Sequence, residues 1–241
     1  HVSGHLAAAN SRALGRAGIN AETPDPPGGI IRRRPGSQEP NGVLEESASY
    51  PLRKYTNSTI KDPIANVGAA MAIYARNGIT TAQDGAASKE VIQLMKAADL
   101  AGQVNLDVVI YPAAQRDPGS MMTLAYGNYD GRVKIGGVKL MLDGSPQGKT
   151  AFMTKPYLHP PHGQNAEYRG YPAIPQAQVD KLVAKFGRAG IPMIAHANGD
   201  AAADMLINAV RQANIQTDHR TVMIHAQTVR EDQLTDMKAL G

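Results

Sequence analysis

The chain has no cysteine among its 241 residues. Thiolate metal sites, disulfides and cysteine nucleophiles are therefore excluded. No run approaches the roughly 20 apolar residues that span a membrane. Aromatic residues make up only 5% of the chain, and none is interleaved with its densest basic cluster, Arg32-Arg33-Arg34. Without stacking rings, such a run beside Pro35 and Gly36 reads as a solvated loop rather than a nucleic-acid surface. Neither sign of charge dominates, the net charge being +4. Ser3 and Ser145 lack the Gly-x-Ser-x-Gly setting of a nucleophile elbow. Gly148-Lys149-Thr150 lacks the upstream glycine of a phosphate loop, since Asp143 holds that position. No His-x-His occurs either.

The rest of the composition, 42% hydrophobic and 19% charged, is that of a soluble globular protein. The length suits one large domain or most of an α/β barrel. The chain opens on His1 without a signal-peptide pattern and stops at what reads as a helix end. Both termini therefore look like cuts through a longer protein. The compartment is open, with the cytoplasm favoured. The expected partner is a small-molecule substrate, neither nucleic acid nor membrane, and self-association is left open.

Residues 1–62 are rich in turn formers, with a strong break at Pro24-Asp25-Pro26-Pro27-Gly28-Gly29. They read as an irregular segment, with a short helix over 10–18, packed on the main domain. Over 63–241 the pattern is regular. Strands are expected at 79–82, 104–111, 133–142, 191–195 and 221–224, alternating with amphipathic helices. Gly136-Gly137 marks a bulge or a close backbone approach within the third strand. Thr228 and Glu231 fit a capping box for the last helix. Such alternation predicts a parallel α/β sheet, for which an open doubly wound sheet and an incomplete eight-stranded barrel both fit. The long connection 143–175, with Tyr157, His159, His162, Tyr168 and Tyr171, suits a lid or substrate wall, or a surface excursion packed by its own tyrosines.

Two histidines close short apolar runs: His196 after Ile-Pro-Met-Ile-Ala and His225 after Thr-Val-Met-Ile. Singly, each fits a hydrogen-bonded core histidine. Together, at matching strand ends, they suggest metal ligation, since neutral imidazole is the commonest metal ligand. Asp200, in the turn after His196, suits a helix cap. Lys139 alternates against Val138, Leu140 and Leu142 and so points away from the helices. Burying its ammonium is costly unless it is paired or neutralised. It reads as a snorkelling side chain, a contact for a substrate anion, or a lysine carbamylated by carbon dioxide.

Several stretches resemble the amidohydrolase superfamily, in particular its amidohydrolase-3 branch of formamide-deformylase-like hydrolases. They are Gly4-His5 through Asn10-Ser11, Gly42-Val43-Leu44-x-Glu46, Gly78-Ile79-Thr80-Thr81, Lys139-x-x-x-Asp143-Gly144-Ser145, His196-Ala197-x-Gly199-Asp200 and Ile224-His225-Ala226-Gln227. The resemblance implies a TIM-like (β/α) barrel, incomplete here at about strands two to six, and a metal-dependent hydrolase of amide or formamide C–N bonds. It makes His196 and His225 the fifth- and sixth-strand ligands, and Lys139 the carbamylated ligand. The implied cofactor is a divalent metal, zinc, as one or two ions. The catalytic aspartate of the last strand would lie beyond residue 241. His5, Asn10 and Glu46 are expected to reach substrate. Two departures from the family pattern are Ala201-Ala202, where an arginine often follows Gly-Asp, and Ile224, where a glutamate often precedes the histidine. The competing expectations are a non-catalytic barrel fragment, or a deaminase or lactonase of the same superfamily.

Overall fold

The computed structural model describes residues 1, 3–57, 60–115, 117–215 and 218–241. The first part of the chain holds β1 (Leu6–Ala8), α1 (Ser11–Ala17), β2 (Gly29–Arg33), β3 (Pro40–Glu46) and α2 (Tyr50–Asn57). The three strands form an antiparallel sheet in the order β1-β3-β2. Leu14, Ile19, Ile31, Leu44 and Ala48 give it a small core of its own. This corrects the expectation of an irregular segment. β3 alternates in burial but its residues, Pro40-Asn41-Gly42-Val43-Leu44-Glu45-Glu46, do not alternate in polarity, and β1 pairs with a strand more than thirty residues away.

The regular part continues with α3 (Pro63–Arg76), β4 (Thr81–Ala87), α4 (Lys89–Leu100), β5 (Asp107–Pro112), α5 (Pro118–Met121), β6 (Tyr129–Asp130), β7 (Val133–Ile135) and β8 (Val138–Met141). It ends with α6 (Gln176–Arg188), β9 (Met193–Ala197), α7 (Asp200–Ala213), β10 (Val222–His225) and α8 (Glu231–Leu240). Asp62 and Ser88 cap α3 and α4 by accepting from the amides of Ala65 and Val91. The expected capping box at Thr228 and Glu231 instead sits at Arg230 and Gln233. Thr228 donates its hydroxyl to Asn198 O (2.8 Å), which takes it away from the helix.

β4, β5 and β7 run parallel, with β6 returning antiparallel on β7. β8, β9 and β10 form a second parallel set. The expected strand 133–142 is thus divided at Gly136-Gly137, where the backbone crosses from one set to the other. Both glycines are required by close approach. A Cβ on Gly136 would lie 2.6 Å from Val109, and one on Gly137 only 2.1 Å from Pro192 O. A bridge between Ala113 and Lys139 joins the two sets, supported by Ala114 N–H donating to Lys139 O (2.9 Å). The parallel strands follow one another in chain order without the reversal of a doubly wound sheet. One apolar layer places Val138, Leu140 and Leu142 against Val179, Val183 and Phe186 of α6. Another places Val108, Ile110 and Val133 against Val67 and Met71 of α3 and Ile92 and Ala98 of α4.

Candidate functional site

In a parallel sheet, residues in register point to the same face. Met141, His196 and Ile224 are in register, as are Lys139 and Ile194. Lys139, Met141 and His196 therefore share the face opposite Leu140 and Leu142. His225 is in register with Ala197, one step out of line with His196, so the two histidines do not occupy matching positions. Alternation alone would send His225 to the other face. The backbone reverses this: His225 has φ 70 and Ala226 φ 48. Two consecutive left-handed non-glycine residues are strained. The result brings the His225 ring to 4.6 Å from that of His196, edge to face.

A third imidazole joins them from the N-terminal sheet. The His5 ring centre lies 5.2 Å from that of His196. Its Nδ1 sits 2.7 Å from Glu46 Oε2, and Glu46 Oε1 accepts the Thr150 hydroxyl (2.6 Å). Glu46 is itself held at φ 48 where β3 ends. Asn10 does not join the cluster. It is exposed, and its side chain accepts from Ala13 N (2.9 Å) as the cap of α1.

His196 is almost wholly buried, and its Nε2 lies 2.7 Å from Gly144 O. A carbonyl only accepts, so the proton sits on Nε2 and a neutral ring carries its lone pair on Nδ1. Asp143 was quoted in a motif but not placed in the site by sequence reasoning. It is fully buried and accepts from the amides of Phe152, Asn198 and Gly199, with Oδ1 3.4 Å from His196 Nε2. Its position two residues past the end of β8, on the strand that carries Lys139, is the signal that could have found it. Thr150 and Asn198, whose amide donates to Gly144 O (2.8 Å), had no comparable signal.

Lys139 is 4% exposed, and among the described residues its ammonium meets no carboxylate. Burial lowers its pKa to about 8. Burial first, and then the positive charges of His196, Lys139 and His5, also push the His225 imidazole down, against the pull of Asp143. The surroundings thus favour the neutral forms of His225 and Lys139. Among the described residues no three His, Asp or Glu side chains converge as a metal cage. What the chain offers is two imidazoles with lone pairs to give and one unpaired lysine.

The long connection packs by its tyrosines. Tyr157 and Tyr168 donate to Ala151 O and Lys149 O, and Tyr171 to Glu45 Oε2 (3.0 Å). His159 and His162 are exposed. Asp200 accepts from Thr154 and from Arg230, which ties the connection to α7 and α8. Among the described residues no helix is long and apolar enough to cross a membrane.

Known proteins are similar to this chain in sequence or in fold. The chain is 27% identical over 98% of its length to the amidohydrolase YtcJ of Bacillus subtilis (strain 168), of which it covers 44%. It is 26% identical over 92% of its length to N-substituted formamide deformylase of Arthrobacter pascens, covering 42% of that protein. It therefore spans less than half the length of these relatives. An uncharacterized metal-dependent hydrolase from Pyrococcus horikoshii OT3 superposes with a TM-score of 0.70 at 23% identity, over 98% of this chain and 45% of that one. The amidohydrolase family model matches residues 1–241, and the chain belongs to that family.

Proposed function

We propose that the protein is a metal-dependent hydrolase of amide or formamide C–N bonds. It would work at the C-terminal face of a (β/α) barrel of which this chain supplies about strands two to six. The sequential parallel strand order supports the barrel reading. The observation that carries the chemistry is the hydrogen bond from His196 Nε2 to Gly144 O. A metal-binding imidazole characteristically donates its other N–H to a carbonyl or carboxylate, which fixes its tautomer. His196 through Nδ1, His225 and Lys139 would hold a divalent cation, with zinc, as one or two ions, the metal proposed. Such a cation lowers the pKa of its bound water to around 7 and polarises a scissile carbonyl. Lys139 suits carbamylation because burial leaves about a tenth of it neutral at pH 7, and only the neutral amine adds to carbon dioxide. His5, oriented by Glu46, would position substrate from the opposite side.

The test is metal analysis of the full-length protein, with a panel of small amides. Wild type should carry metal and hydrolyse amides. His196→Ala and His225→Ala should each lose metal and lower kcat/KM at least about a hundredfold. Unchanged metal content in both variants would sink the assignment. That no three-ligand His/Asp/Glu group occurs among the described residues fits a second reading for the 241-residue chain alone, namely that it is a non-catalytic part of a centre. That reading expects the isolated chain to bind metal more weakly than the full-length protein.

A further inference from the structure

A cavity of about 650 Å³ lies beside the histidine cluster, within the size range of small-molecule sites. Its lining includes Met141, which shares the face of β8 with Lys139 and is in register with His196. One wall is Pro26, Pro27, Tyr50 and Pro51 from the N-terminal segment, and another is Ile174 from the end of the long connection. The Tyr50 ring is backed by the Arg53 guanidinium at 4.3 Å. The walls meet closely: a Cβ on Gly28 would lie 2.4 Å from Ala173 O.

The polar side chains at its border are turned onto the protein. Gln115 donates to Met141 O (3.0 Å) and accepts from Met141 N (2.8 Å). Gln178 donates to Gln115 O (3.4 Å), and Ser47 to Pro27 O (2.8 Å). Asp143 is committed to its three amides, and Glu46 to His5 and Thr150. A charged ligand group would be desolvated against Pro26, Pro27, Pro51, Met141 and Ile174, which offer it no partner, and a carboxylate would also be repelled by Asp143 and Glu46 at the border. Prolines make the apolar wall rigid, so little ordering entropy is lost when it is filled.

We infer that this cavity binds an uncharged apolar substituent of the amide substrate, on its nitrogen or its acyl side. The inference rests on the hydrolase reading above. It excludes amides carrying a carboxylate at that position and ranks those carrying an ammonium below the apolar ones.

The test uses the full-length protein with N-cyclohexylacetamide, N-methylcyclohexanecarboxamide, N-(2-aminoethyl)acetamide and N-acetylglycine. At least one cyclohexyl amide should exceed both charged amides in kcat/KM by ten-fold or more, and which one does assigns the cavity to the nitrogen or the acyl side. Ile174→Asp should remove that advantage at unchanged metal content. Equal rates for all four amides, or a faster aminoethyl amide, would overturn the inference. Calorimetric binding of the same amides to wild type separates this from failure of the hydrolase reading. If no amide is cleaved, the proposed reaction falls. Preferential cyclohexyl binding then still supports the cavity assignment, and no preference overturns it, whether or not Ile174→Asp folds.

Discussion

An ammonium group buried without a counter-charge weakens a fold unless something else requires it. Lys139 is that group here, and its removal should separate stability from function. In metal-stripped protein, Lys139→Met should raise stability by about 1–3 kcal/mol at neutral pH, while it lowers metal content in the loaded protein. The pH dependence has a definite sign. Folded Lys139 titrates near 8, and unfolded lysine near 10.4. Between those values the unfolded chain binds more protons, so wild-type stability rises with pH across that window. The advantage of the variant should be full below pH 8 and should close towards pH 10.4. Urea midpoints of both proteins from pH 7 to 10 measure it, and a pH-independent gap would show that the lysine is not penalised by burial. The strained His225 and Ala226 belong to the same scale. Two residues at positive φ are maintained to aim one imidazole.

Among the elements, the joint between β7 and β8 sets the position of Lys139, which follows Gly137 by two residues. Gly137→Ala would drive a methyl group into Pro192 O and push β8 away from β9. A loss of more than about 2 kcal/mol is expected, with a lower metal affinity, and a denaturant titration with parallel metal titration tests both. The start of α8 carries the second dependence at this scale. Gln233 is 1% exposed. It accepts from Arg230 N (3.0 Å) and donates to Asp200 O (2.7 Å) and to Asp204. Gln233→Ala removes these bonds, leaves Arg230 N without its acceptor and should cost roughly 1–3 kcal/mol, seen as a lower urea midpoint with an unchanged slope. The Asp200 carboxyl in the same network would be raised by burial, but hydrogen bonds from Thr154 and Arg230 outweigh that and hold it below the usual range.

For the molecule as a whole, two consecutive glutamates latch the N-terminal sheet to the long connection. Glu45 bonds Arg32 and Tyr171, and Glu46 bonds His5 and Thr150. The candidate centre lies where that sheet meets the parallel strands. A metal held there binds only the folded state, and chelation should lower the melting temperature of the full-length protein. At a metal concentration one hundred times its Kd the linked stabilisation is about 2.7 kcal/mol. A melting temperature unchanged by a chelator that removes the metal would show that the centre does not tie these parts together.

Much was legible in the sequence because local chemistry enforces it. Ser88 caps α4 wherever that helix packs, and the punctuation of α3, β4, α4 and β5 follows from period and turn residues. Lys139 stood out because a charge among Val138, Leu140 and Leu142 breaks a buried alternation. The close approach at Gly136-Gly137 was expected from the residue type alone. The β1-β3-β2 sheet, the bond between Glu46 and His5, the commitment of Asp143 to three amides and the reversal of His225 were not legible. Each joins residues far apart in the chain or depends on a backbone twist that no residue type announces. The amino-acid sequence by itself determined the alternating elements from residue 63 onward, the cap at Ser88, two histidines near strand ends and an odd lysine within a buried strand. Only the tertiary structure decided which of these meet, because register, strain and closure of distant segments are set by packing rather than by local preference.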